Sequence, residues 1–555
     1  MDISRTSTFV SKTSTYASRS SSNIASERSL RVQIAPELLR GVPLHECLSG
    51  WAKHWSSSSG GMFSAREGID SYTLSRQTDR FHNFLSHDWG TSRWLKLTAL
   101  LVIFNSRAAA VATLVVSVFS GILRASGILP DGSWAVATGY LTFFICFCFW
   151  QRIRAVFKPR MVFLDKLCIA QHDAALKEQG IMGLAAFLDR SEKLTVLWSP
   201  RYFQRLWCTY EISTFLRKVD GNAQIEMMPV KLAFLLCVNA AKWFIMTIGA
   251  HIITDSSDHE LRSLTRSLAV AGPCVLLAGS MVPWTYFVGI GMMEDLSKMP
   301  QQLTSFRIQD AGSACCSHNH RHPETHEAIG CDRDLVFATL RAWLGRSGDG
   351  TEKYLDGFNK LVRERLAPAV LKTVGGDRLP MGYTLYMTAS CHIPFISNSI
   401  VALTRGPPAG YSGGDTVIWA VRICVDWAFI SLLAVMTTRL NFFLCEYGFR
   451  ILQKTTKKSR LGLAFLLSQL VILFVSGFWI GHLQLSYRLD DRSWLPLLPF
   501  LILLSLTTVL FRKGKRATSK ESVKECRGDA ADDGPHKEEL PDIRADSETG
   551  STFEV

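Results

Sequence analysis

Seven potential metal ligands crowd one short stretch of this chain. Cys315, Cys316, His318, His320, His322, His326 and Cys331 fall within seventeen positions. Thiolate and imidazole donors together favour Zn²⁺ in a tetrahedral site. In a reducing compartment such a cluster is expected to hold metal rather than form disulfides. The candidate ligands are Cys315, Cys316, His320 and Cys331, or one of the paired cysteines with His320, Cys331 and a second histidine. The pattern CC-x-H-x-H-x-H is not a familiar zinc-finger spacing, and the alternative is a surface loop rich in histidine.

Other residues stand out by what surrounds them. Arg422 and Asp426 lie four apart in an apolar stretch, a spacing that lets them pair on one helix face. Lys242 with Asn239, and His392, are isolated in similar stretches. Buried charges in a membrane mark pathways by default, so these residues also raise a channel or transporter reading. The absence of any inverted repeat favours structural ion pairing instead.

These residues need elements to position them. The chain has 555 residues, 47% hydrophobic and 20% charged, with a net charge of +13. Those averages exclude collagen-like and disulfide-framework classes, but they conceal segregation. Residues 1–75 form a polar N-terminal region whose Ser/Thr/Arg-rich start is too poor in apolar groups to offset its chain entropy. The tail 512–555, acidic from about Ala517 to Val555, reads the same way.

Between them lie eight apolar stretches, at residues 108–129, 133–150, 232–253, 268–290, 381–403, 417–437, 461–483 and 494–511. A hydrocarbon core about 30 Å thick takes about 20 helical residues, so each is a candidate span. Eight buried helices of a soluble protein would keep polar stripes that these lack. Basic residues concentrate in the connection 438–460 and directly after position 511, and the alternate connections are nearly charge-balanced. Positive charge resists translocation, so both termini are expected in the cytosol. The basic excess then reports topology and contact with a lipid bilayer, with no nucleic-acid partner implied.

Residues 151–225 are patterned differently. Short apolar runs at 160–165 and 194–199 alternate with helical periodicity at 180–190 and 205–217, as in an α/β unit with a parallel sheet. A first strand at residues 81–86, within the segment 76–105, precedes a two-span hairpin at 106–150. Segment 231–290 would hold spans three and four. Segment 291–380 is Cys/His-rich and then helical, and 381–511 would hold spans five to eight.

FHNFLSHDWG, VFLDKLCIAQHD and LTVLWSPRYFQRLWCTYEI resemble, in order, the first strand, the second strand with its loop, and the Trp-Cys-x-x-Glu segment of Toll/interleukin-1 receptor (TIR) domains. Ser199, Tyr202, Trp207, Cys208 and Glu211 fall at family-like spacing, and His82 stands where many members have Asp. The resemblance covers roughly 80–100 residues. It implies a flavodoxin-like α/β fold, here interrupted by the first two spans and joined to a helical membrane bundle. It also implies signalling or assembly with homotypic or other TIR-domain partners. In some members it implies cleavage of NAD, with Glu211 as the catalytic carboxylate and Ser86, Asp165 and Trp207 lining the substrate crevice. Otherwise Trp207 is core and Glu211 pairs with Arg205 or Arg217.

Overall fold

The computed structural model describes residues 34–56, 65–216, 224–256, 263–321, 326, 328, 330–345, 350–374, 381–453 and 457–510. The expectations for residues 1–33 and 512–555 lie outside the described residues.

A six-stranded mixed sheet joins a set of long apolar helices. Its strands are β1 (Arg40–Pro43), β2 (Arg76–Gln77), β3 (Phe81–His87), β4 (Met161–Phe163), β5 (Ser191–Trp198) and β6 (Gln224–Pro229). They lie in the order β2-β1-β4-β3-β5-β6. β4, β3, β5 and β6 run parallel to one another, and β1 is antiparallel to β2 and β4. β1, β2 and β6 are additions to the strands expected from sequence. β1 also shows that part of the polar N-terminal region is folded. The central strand β3 is buried at six of its seven positions, all but His82. That fits its near-continuous apolar character, since parallel sheets are covered on both faces. Phe84 stacks on Phe163 at 4.5 Å between ring centres, and Phe187 lies 4.5 Å from Phe163.

The helices that matter for the site are α1 (Arg93–Ala125), α2 (Trp134–Ala155), α3 (Leu206–Leu216), α4 (Val230–Ser256), α5 (Ser263–Ser297), α6 (Asp332–Leu344), α7 (Met381–Thr388), α8 (Ile396–Arg405), α9 (Gly413–Leu452) and α10 (Lys457–Arg488). Among the described residues, six helical stretches are long and apolar enough to cross a membrane: 93–125, 134–155, 230–252, 272–304, 413–452 and 460–486. These stretches support several of the eight expected spans and leave the full eight as an expectation. Among the described residues, the last expected span is helical over Leu497–Leu510.

The fifth expected span is broken. Two 3₁₀ turns, Ala389–Cys391 and Ile393–Phe395, separate α7 from α8. Pro394 has no N–H to continue an α-helix. Backbone groups freed inside a bundle must find partners. Tyr140 and Thr247 hydroxyls donate to the Cys391 carbonyl at 2.8 and 3.1 Å, and Ser431 donates to the Ala389 carbonyl at 2.9 Å. Small residues admit the broken segment. A Cβ on Gly139 would stand 2.8 Å from the Pro394 side chain, and one on Gly121 2.9 Å from the Ser397 Cα. Close backbone approach at such residues is how helices pack in lipid.

Arg422 and Asp426 do not pair with each other. The Arg422 guanidinium donates to the Asp490 carbonyl at 2.6 Å and to the Ser486 carbonyl at 3.4 Å, capping the C-terminal end of α10. Asp426 contacts His482 of α10 at 3.1 Å. Arg422 also pairs with Asp491 at 3.6 Å, so carbonyls at the helix end and a second carboxylate take the place of Asp426.

Gly139→Leu is therefore expected to destabilise the detergent-solubilised protein by about 1–3 kcal/mol through overpacking against Pro394. Gly477→Leu is the control, because nothing lies within 4 Å of a Cβ there. Melting curves of the two variants beside the parent check this. Equal midpoints for all three would contradict the packing described.

Candidate functional site

Two constellations carry chemistry, and they touch the same helix. The first is built on the carboxyl end of β3. Ser86 is 1% exposed and Glu211, in the second turn of α3, is 8% exposed. The Ser86 hydroxyl donates to Glu211 Oε2 at 2.5 Å, and the Tyr202 hydroxyl meets Ser86 Oγ at 2.5 Å. With Ser86 donating to the carboxyl, Tyr202 is left to donate to Ser86. Burial pushes Glu211 up to about 8, opposed by the Ser86 hydrogen bond and reinforced by the nearby charge of Asp165. Burial likewise holds the Tyr202 phenol and the Cys208 thiol well above their ordinary values.

Asp165 opens the short helix Asp165–Cys168 directly after β4. Its carboxylate accepts from the Trp89 indole at 2.9 Å and from the Lys166 amide at 2.7 Å, and burial raises its pKa. Trp207 is half-buried, and its ring meets Tyr210 edge-on at 5.9 Å. The structure thus brings Ser86 and Glu211 into contact and places Asp165 within electrostatic reach. Glu211 forms its hydrogen bond with Ser86 rather than an ion pair with Arg205. Arg217 lies outside the described residues.

Several partners were not singled out from sequence. Trp89 orders Asp165. His87 sits between the rings of Trp55 and Trp89, at 4.7 and 4.5 Å, and burial holds it well below the usual histidine range. Asp88, which is buried, pairs with Arg201 at 3.1 Å. The His-Asp-Trp run after an apolar strand was the available signal.

The second constellation is the Cys/His segment. Sγ of Cys315, Cys316 and Cys331 and a ring nitrogen of His320 all lie within 4.8 Å of one another. Cys316 Sγ is 3.9 Å from Cys315 Sγ, 4.0 Å from Cys331 Sγ and 3.6 Å from His320 Nε2. Zn–S near 2.3 Å and Zn–N near 2.0–2.1 Å at tetrahedral angles require about 3.8 Å between sulfurs and about 3.6 Å from sulfur to nitrogen. The donors therefore fit a tetrahedral metal ion such as Zn²⁺. The left-handed backbone of Asn319 and His320, at φ 50° and 57°, turns the chain back so that His320 reaches Cys316. His318 and His326 are not in the group, and His322 lies outside the described residues.

Outer contacts hold the first ligand. The Asp332 amide donates to Cys315 Sγ at 3.2 Å, and the Ser313 hydroxyl lies 2.9 Å from the same sulfur. Such contacts orient thiolate ligands in metal centres. Desolvation, then hydrogen bonding with Cys315, pushes the Cys316 thiol up to about 11. A bound cation reverses that cost by favouring the thiolate.

The two constellations meet at α3. The Gly312 amide donates to the Gln204 carbonyl at 2.7 Å, and the Leu206 amide at the start of α3 donates to the Gly312 carbonyl at 3.1 Å. Farther along, Trp343 of α6 stacks on Tyr210 of α3 at 5.3 Å. No protein family, curated protein or solved structure matches the chain.

Metal analysis of the purified chain is expected to find one Zn²⁺ per protein, with Cys331→Ser and His320→Ala each retaining far less after dialysis. Unchanged retention in both variants would reject the site. Glu211 adds a pH prediction. Its pKa is raised in the fold from 4.5 to about 8, so its contribution is fully present below pH 4.5 and is lost as pH rises towards 8. Stability should fall across that window by up to about 1.4 kcal/mol per unit. Glu211→Gln should flatten the slope in melting curves taken from pH 5 to pH 8.

Proposed function

We propose that the chain is a multi-pass membrane protein whose α/β unit is a TIR-like module used for signalling or protein assembly. In chain order its parallel strands β3, β4, β5 and β6 occupy the spatial order 2-1-3-4. That order supports a flavodoxin-like reading. The charge pattern of the connections supports a cytosolic position for the unit and both termini. The Cys₃His group is read as a structural Zn²⁺ site, because all four donors are protein side chains and closed sites of that kind are structural.

One observation carries the choice of an assembly module over an enzyme. The Glu211 carboxyl is buried and accepts the Ser86 hydroxyl, which is itself bonded to the buried Tyr202. A carboxylate that stabilises a ribosyl cation must reach the sugar, and here it is spent on a hydroxyl of its own fold. The raised pKa of Glu211 at the strand ends is what favours the second reading, cleavage of NAD. A transport reading finds its two charged residues, Arg422 and Asp426, engaged between helices.

The experiment sets a cysteine at Glu178, an exposed position on the helix that follows the loop after β4. Glu178→Cys is expected to give cross-linked pairs in membranes that the parent chain does not form. Detergent-solubilised protein is expected to release no nicotinamide from millimolar NAD. Nicotinamide release that Glu211→Ala abolishes, without cross-linking, would replace the assembly reading with the enzymatic one.

A further inference from the structure

The first two apolar helices enclose a cavity where they meet the α/β unit. It measures about 270 Å³ and is lined by Leu48 and Trp51 from the segment after β1, Leu97 and Leu101 of α1, and Phe149 and Arg152 of α2. That is just below the range of about 300 Å³ at which small-molecule pockets begin. An occupant therefore inserts one part of itself and leaves the remainder outside.

The level of the cavity is fixed by contacts between the helices. Asn105 donates to the Phe147 carbonyl at 2.8 Å, and Gln151 donates to Asn105 at 2.9 Å. One turn farther, Leu101 stands level with Arg152. Here the apolar sequence of α2 gives way to Arg152, Arg154 and Lys158. Phe149 is on the apolar side of that boundary, and aromatic and basic side chains in this order mark a membrane interface. Just beyond α2, Val156 and Phe157 are 81% and 87% exposed. Two adjacent apolar side chains so bare are at home in lipid rather than water.

The wall contributed by the N-terminal segment is strained. Gly50, Trp51 and Ala52 hold φ of 56°, 54° and 61° in succession. Left-handed backbone is costly for a residue as bulky as tryptophan, and strain of this kind gathers at ligand sites. The buried Trp55, whose indole donates to the Cys47 carbonyl at 2.8 Å, anchors the chain just after the turn. Trp51 is thereby left 52% exposed, its ring 6.3 Å from that of Phe149.

The charge at the cavity is positive. Arg152 is exposed, and among the described residues it pairs with no acid. Glu46, next to the cavity residue His45, lies 3.3 Å from that imidazole. An apolar slot, an unpaired guanidinium at its mouth and flanking interfacial aromatics match a molecule with an anionic head and an acyl tail. Arginine holds phosphate oxygens through a planar, two-pronged donor set.

We propose that this cavity binds one anionic glycerophospholipid from the leaflet nearest the α/β unit. The headgroup phosphate sits on Arg152, and an acyl chain lies against Leu101 and Phe149. The inference rests on the membrane reading of α1 and α2. Retention of every variant in carbonate-washed membranes tests that reading separately.

The experiment uses the full chain in mild detergent, with phosphatidylglycerol or phosphatidylcholine added, and reads bound lipid by native mass spectrometry and the melting midpoint. The parent is expected to retain one phosphatidylglycerol at a concentration where phosphatidylcholine is lost, with a higher midpoint. Arg152→Gln should weaken that retention at least tenfold, and Arg154→Gln should leave it unchanged. Leu101→Trp, which fills the slot, should abolish retention. If that variant melts early without lipid, Arg152→Gln alone decides. Equal retention of both lipids, an unaffected Arg152→Gln, or a midpoint shift produced equally by inorganic phosphate would each overturn the proposal.

Discussion

The structure depends on how its parallel sheet is closed. β3 and β4 are parallel neighbours, so the chain must leave one end of the sheet and return to the other. In most α/β proteins a single surface helix makes that crossover. Here it is a hairpin of two apolar helices, α1 and α2, both long enough to cross a membrane. At 33 residues, α1 is about 50 Å long, more than a bilayer requires. Its first turns bury Leu97, Leu100 and Val102 in the hydrophobic cluster that also holds Phe84 and Val196. One continuous helix therefore makes the crossover and is also long and apolar enough to span a membrane. β6 ends at Pro229 and α4 begins at Val230, so a second connection has no intervening residue. The sheet is fused to the bundle rather than tethered to it.

That fusion gives the buried polar residues their setting. A carboxyl in an apolar site is costly to ionise, and it persists there only if its lone pairs are satisfied. Glu211 meets the condition through Ser86, and Ser86 through Tyr202, each from a different element. Asp165 meets it through Trp89 and the first turn of its own short helix. These contacts cross from β3 to the 3₁₀ turn before α3 and to α3 itself, so they specify how the helix sits on the strand ends. A displacement of α1 that shifted β3 would reach them directly.

How much of this was legible in the sequence depended on how local each feature was. β3, β4 and β5 could be read because a buried parallel strand is a continuous apolar run, and the long helices because lipid demands length. β1 and β2 were not, since Arg-Gly-Val-Pro and Arg-Gln carry no strand pattern and form only by pairing with each other and with β4. The break between α7 and α8 was invisible to hydropathy, because the freed carbonyls are satisfied by Tyr140, Thr247 and Ser431 from elsewhere in the chain. Arg422 and Asp426 had the right spacing to pair and did not, because Arg422 is taken by Asp490 and Asp491 just past α10 and Asp426 by His482. The candidate metal ligands could be picked out because three of the four are close in sequence. Selecting His320 over its neighbours required the left-handed turn at Asn319 and His320.

The contact between the Cys/His segment and α3 explains why a loop of that composition sits here. The first amides of any helix lack partners within it. At α3 the Leu206 amide is taken by Gly312, a residue of another segment altogether. A loop that supplies such a contact must itself be held, because loops sit at the low end of local stability. Gly312 is held on one side by its own amide on Gln204, and on the other by Ser313 and Cys315 leading into the ligand group. The adjoining Ala311 carbonyl is taken by Arg333 of α6. Four side chains drawn to one ion would fix both ends of the loop, Cys315 and Cys331, at once. The loop could then satisfy the helix that carries Glu211 without a hydrophobic core of its own.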